Sequence, residues 1–148
     1  MEISLSCGSE IDDKNSQYGD NLSPGVEFSN VPEDTKSLIL FMEDLNASEA
    51  RRVHWVIWNI PPEENLPEGV EIGEKPSSVD GSYQGNNDYK IIGYQGPKYP
   101  PGNETYRFTA YASEQLLDCS PGSSLQDVRE AMKGKILDKA TAEAGYTN

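Results

Sequence analysis

A chain of 148 residues and 16.3 kDa is long enough to form one domain, residues 1–148, with a buried core, enclosing roughly 68–70% of the surface its unfolded form exposes. With 35% hydrophobic and 25% charged residues, it has the composition of neither a collagen-like nor a disordered protein. Acidic residues outnumber basic ones 25 to 12, for a net charge of −13, and so negative a body repels the phosphate backbone on which nucleic-acid affinity rests, so no nucleic-acid partner is expected.

The acidic excess is uneven, since residues 1–74 hold 16 acids and 4 bases while residues 75–148 hold 9 and 8. An anion site is therefore expected to draw its bases from the second half. The longest apolar run, residues 38–42, is far below the roughly 18 residues of a membrane span, and Met1-Glu2-Ile3 lacks the basic start of a secretory leader. Cys7 and Cys119 are too few for a disulfide scaffold and lack the paired spacing of a zinc site. The expectation is a cytoplasmic protein with free thiols, no membrane span, no metal and no cofactor.

In chain order, residues 37–42 and 53–60 are short, apolar and rich in β-branched and aromatic residues, which predicts strands. Residues 61–103 are dense in Gly and Pro and read as loops, with one candidate strand over 89–93. Residues 105–112 alternate, placing Tyr106, Phe108 and Ala110 on one face and Arg107, Thr109 and Tyr111 on the other, as in a half-buried strand. Leu125, Val128, Met132 and Ile136 recur at helical steps, and Ser124 with Asp127 makes an N-terminal capping pair. Residues 139–146 fit an edge strand, with helix continuation as the alternative. Several strands and one late helix predict a mainly β fold, an antiparallel sandwich of two sheets.

His54 is the only histidine, ten residues after Asp44 in an apolar strand, where an imidazole is ordinarily a core residue. The segment from Gly93 through Gly96-Pro97 to Gly102 is a stiff loop of the kind that presents main-chain N–H groups to a small ligand. These segments resemble a known family. Asn21-Leu22-Ser23-Pro24, Val31-Pro32 with Thr35-Lys36-Ser37, Asp44-Leu45-Asn46-Ala47-Ser48, His54-Trp55 with Asn59-Ile60-Pro61, Gly93-Tyr94-Gln95-Gly96-Pro97 with Pro100-Pro101-Gly102, and Gly134-Lys135-Ile136-Leu137 with Gly145-Tyr146 occur in the order of the motifs of the phosphatidylethanolamine-binding proteins. The resemblance is to their bacterial and archaeal branch, also described as Raf-kinase-inhibitor-like. It implies a two-sheet β-sandwich with a C-terminal helix and a pocket for phosphate-like anions or phosphorylated head groups. Carried over residue by residue, the pocket is lined by Asp44, His54, Gly96, Pro97 and Tyr106, with Asn46 and Glu104, at positions that depart from the motif, as further candidate ligand-binding residues.

In this reading Asp44 favours a charged imidazolium at His54, and Tyr106 and loop amides add neutral donors. The sequence also departs from the family pattern. Asn46 stands where the motif has its second Asp, Ser48 where it has a final Pro, and Glu104 where it has a His. A donor has thereby become an acceptor, and repulsion between two unit charges at about 4 Å, in an effective dielectric near 20, is on the order of 4 kcal/mol. Lys98 or Arg107 restores positive charge and anion binding is retained but weakened, or Glu104 turns to solvent, or the pocket prefers an amine or neutral polar ligand, or it has no ligand role. The reading is thus a non-enzymatic ligand-binding protein. The alternatives are a module that inhibits a kinase or protease by binding it and, further off, a hydrolase using His54; the family also suggests a homodimer. No Gly-x-Ser-x-Gly elbow occurs, and neither cysteine is near His54 in sequence. A zinc set of Asp44, His54 and Glu104 is permissible in ligand type, with a solvated acidic rim as the ordinary alternative.

Overall fold

The structure, a computed structural model, describes residues 1–47, 52–98 and 102–147. Its centre is a five-stranded antiparallel sheet built from β3 (Ser37–Asp44), β4 (Val53–Ile60), β5 (Tyr83–Gln84), β6 (Glu104–Ser113) and β7 (Ile136–Tyr146), in the order β5-β4-β3-β6-β7. A second, two-stranded sheet pairs β1 (Glu2–Leu5) with β2 (Val26–Ser29), and an α-helix, α1 (Leu125–Met132), follows β6.

The apolar runs of β3 and β4 exist because both faces of the central sheet are covered. On one face Leu38, Leu40, Met42, Trp55 and Ile57 pack with Tyr106 and Phe108 of β6 and with Val26, while Ile3, Leu5 and Phe28 of the small sheet close over them. On the other, Ile39, Phe41, Val56 and Trp58 pack against Val128 and Met132 of α1. Tyr106, Phe108 and Ala110 share the first face, as the alternation predicts. The opposite face of β6 carries exposed Arg107 and half-buried Tyr111, whose ring meets Phe41 at 5.7 Å.

Two predicted elements are corrected. Residues 89–93 are not a strand: Asn87 Oδ1 accepts the amides of Tyr89 (2.8 Å) and Ile91 (3.2 Å), and Lys90 adopts φ +63°, so a side-chain turn replaces extended backbone. The short strand lies earlier, at β5. The helix ends at Met132 rather than carrying to Ile136, because Gly134 takes φ +77° and turns the chain into β7. Its start is as read, with the reciprocal Ser124–Asp127 capping box in place. The alternative left open for residues 139–146 resolves as an edge strand.

Two register irregularities shape β4. Between the pairs Met42–Trp55 and Glu43–Val53 the register advances one residue on β3 and two on β4, which leaves His54 as the extra residue of a β-bulge. A similar slip lies between Leu38 and Leu40, where Asn59 takes φ +56°. Bulges bend a strand and re-aim a side chain. At His54 the effect is to bring the ring to Tyr106, two strands away.

Candidate functional site

Asp44, His54 and Tyr106 meet at one end of the central sheet on three neighbouring strands. Asp44 ends β3 and pairs directly with Tyr106 of β6, and His54 lies near the start of β4. The His54 and Tyr106 rings are 5.0 Å apart edge to face, and Tyr89, from the loop after β5, meets His54 at 5.1 Å. Asp88 pins the start of β4 by accepting the amides of Arg52 and Val53.

The Gly93–Pro97 loop docks on His54 by its backbone. The Gln95 N–H donates to the His54 carbonyl (3.0 Å), and His54 Nδ1 lies 2.6 Å from the Gln95 carbonyl. A carbonyl only accepts, so Nδ1 carries the proton, and in the neutral ring Nε2 is a lone pair. Nε2 is buried and has no hydrogen-bond partner among the described residues. Burial lowers the His54 pKa below its ordinary 6.5, outweighing the Gln95 and Gly96 carbonyls and the charges of Asp44 and Asp88, which favour the proton. The expected imidazolium is therefore corrected to a neutral imidazole: Asp44 is visible in the sequence, but the depth of the ring is not.

The loop amides are corrected too. The Gly96 N–H, expected to face a ligand, donates to Asn21 Oδ1 (2.8 Å), and Asn21 Nδ2 donates to Gln95 Oε1 (3.0 Å). Gln17 adds its amide to the Pro97 carbonyl (2.8 Å) and its side chain to the Gly96 carbonyl (3.0 Å), while the Tyr94 hydroxyl donates to the Asn15 carbonyl (2.6 Å). A Cβ at Gly96 would collide with that same carbonyl of Asn15, so this glycine is required for close packing. Residues 15–21 thus form a second wall that spacing alone did not reveal. Its one sequence signal was Asn21 in the Asn-Leu-Ser-Pro element.

Asn46 is exposed. Its amide donates to Asp44 Oδ1 (2.9 Å) and its Oδ1 accepts from the Thr105 amide (2.6 Å), which ties the end of β3 to β6. Glu104 folds back to accept the Gly102 amide (2.8 Å). Burial, then the charges of Asp44 and Glu104, push the Tyr106 phenol far above its usual range, so it stays an O–H donor. Arg107 does not supply the site: its guanidinium donates twice to Glu143 on the exposed face of β6 and β7. Lys98 is exposed, while Ser48, Pro100 and Pro101 lie outside the described residues. The His54 ring itself is enclosed, only 1% exposed. A cavity of about 280 Å³ opens elsewhere, between residues 4–6, 25–27 and 65–66, with Glu27 as its one charged side chain. Among the described residues no three His, Cys, Asp or Glu side chains are grouped to hold a metal, and no helix is long and apolar enough to cross a membrane.

A β-sandwich with a histidine, an aspartate and a tyrosine gathered beside a glycine-proline loop defines a class of protein, and comparison with known chains identifies it. The chain belongs to the phosphatidylethanolamine-binding protein family, which it matches over residues 3–147. It is 44% identical over 127 residues to a UPF0098 protein of Methanothermobacter thermautotrophicus, covering 82% of this chain and 80% of that one. It is 38% identical over 146 residues to a UPF0098 protein of Aquifex aeolicus, covering 95% and 84%. Among solved structures it is similar to a phosphatidylethanolamine-binding protein homologue from Chlamydia trachomatis, at 31% identity and a TM-score of 0.84, covering 99% of this chain and 97% of that one. The fold is also that of YbcL from E. coli, described as a new member of the mammalian family, at a TM-score of 0.85 and 23% identity with 99% and 98% covered.

Proposed function

We propose that this protein is a non-enzymatic binder of phosphate-like anions or phosphorylated head groups, with its site at His54, Asp44 and Tyr106. The observation that carries the reading is the state of the His54 ring. Nδ1 is fixed by the Gln95 carbonyl while Nε2 is buried without a partner among the described residues, and a buried polar atom left unpaired costs free energy that a ligand atom would recover. Tyr106 contributes a phenol that stays protonated. Gly96 and Pro97 act through the shape of the loop they build, and Asn46 by holding β3 to β6. Tyr106 and Tyr89 both pack edge to face against the ring, and Tyr89 is carried on a loop rather than a strand.

Titration with phosphoethanolamine by calorimetry tests the reading. Saturable binding is expected in the native protein and loss of at least about tenfold in His54→Ala, the scale of one hydrogen bond to a charged group. Glu104→His is expected to strengthen binding at least about tenfold by removing like-charge repulsion. Absence of binding in both the native protein and Glu104→His would overturn the assignment.

A further inference from the structure

The groups gathered around His54 are mostly acceptors. On β3 stands the Asp44 carboxylate. On the loop after β5 are the Asp88 carboxylate and the Tyr89 ring, on the docked loop the Gln95 and Gly96 carbonyls, and on β6 the Tyr106 phenol with Glu104 bearing on it. Among the described residues, none of the groups that act most strongly on the ring is a Lys or Arg, and Arg107 is spent on Glu143. Nε2, with Nδ1 already donating, presents a lone pair to whatever comes next. An oxyanion stripped of all protons would set its oxygens against that lone pair and two nearby carboxylates. An oxyanion that keeps one proton would instead donate an O–H to Nε2, carry one negative charge less, and leave its other oxygens for the Tyr106 phenol.

We propose that the pocket takes its oxyanion together with one proton, held between the ligand oxygen and Nε2 of His54, and so selects phosphate monoesters, which carry such a proton, over sulfate esters, which do not. This rests on the anion-binding reading above and names the chemical form that the site accepts. No covalent bond changes: the proton arrives on the ligand, or from solvent when the ligand is fully ionised, and leaves with it. A phosphate monoester loses its second proton near pH 6, so the selected form becomes scarcer as pH rises through neutrality.

The test compares methyl phosphate with methyl sulfate by calorimetry between pH 6 and 8, using the intact chain. Near pH 6 the two are close in shape, and the protonated phosphate ester carries the same single charge as the sulfate ester, so the contrast isolates the O–H. Methyl phosphate is expected to bind at least about tenfold more tightly, the scale of one hydrogen bond to a charged group. Its affinity is expected to fall about tenfold from pH 7 to pH 8, with close to one proton taken up at pH 8 in buffers of differing ionisation enthalpy. Equal affinities with no pH dependence would overturn the inference and leave the anion pocket standing. Failure of either ester to bind at any pH, with phosphoethanolamine also failing, would overturn the pocket and this inference together.

Discussion

At His54 the charges of Asp44 and Asp88 and two backbone carbonyls favour a proton, yet burial outweighs them and the ring is neutral. The folded state then binds the proton less tightly than the unfolded chain, whose histidine titrates at 6.5. The sign follows from linkage: this contribution to stability is present above pH 6.5 and is lost as pH falls below it toward the lowered folded value. Urea midpoints measured from pH 8 to pH 5 are expected to decline through that window, and His54→Gln to flatten the decline. An identical slope in the variant would remove His54 as its source. Cys7 tells a similar story, since burial, with Asp12 adding to it, raises its thiol from 9.0 to about 11. Alkylation of Cys7 by iodoacetamide at pH 8 is expected to be much slower in the folded than in the urea-unfolded protein; equal rates would contradict this. The sequence made His54 conspicuous as the only histidine and placed Asp44 in range. It could not show the ring's depth or its bond to Gln95, both of which depend on a loop forty residues away.

At the scale of elements, β3, β4 and β6 were legible because each is a run of apolar or alternating residues with clear ends. The small sheet was not: β1 and β2 have four residues each and are half exposed. The bulge at His54 was also hidden, because it is a register relation between two strands rather than a property of either. The same holds for the wall at residues 15–21, whose contacts with residues 94–97 span more than seventy positions. Asn21 is its central contact, bonded to both Gln95 and Gly96 and sitting at φ +57°, a conformation that Asn tolerates better than most residues. Asn21→Ala is expected to cost about 1–3 kcal/mol of unfolding free energy, the price of leaving the Gly96 amide unpaired, and to weaken phosphoethanolamine binding by loosening the loop that orients His54. Unchanged stability and affinity would mean that the loop holds its place without Asn21.

For the whole molecule, the charge imbalance read from the sequence survives folding as an acidic surface, with few compensating pairs among the described residues. Several of the ion pairs are exposed, including Lys133 with Glu130 and Arg107 with Glu143, and exposed pairs contribute about 0–1 kcal/mol each. Self-repulsion at a net charge of −13 therefore works against the compact state. Raising ionic strength from about 0.01 M to about 1 M shortens the screening length from roughly 30 to 3 Å and is expected to raise the melting temperature; a fall with sodium chloride would show that attractive pairs dominate.

The lone histidine makes the central claim directly measurable, because nitrogen-15 labelling of histidine gives one imidazole and no ambiguity of assignment. In the free protein at pH 7 the ring is expected to be neutral, with its proton on Nδ1 and a bare Nε2. On titration with phosphoethanolamine the Nε2 resonance should move saturably toward that of a hydrogen-bonded or protonated nitrogen, while Nδ1 changes little. An Nε2 resonance that stays fixed throughout the titration, or a ring already fully protonated before any ligand is added, would contradict the account.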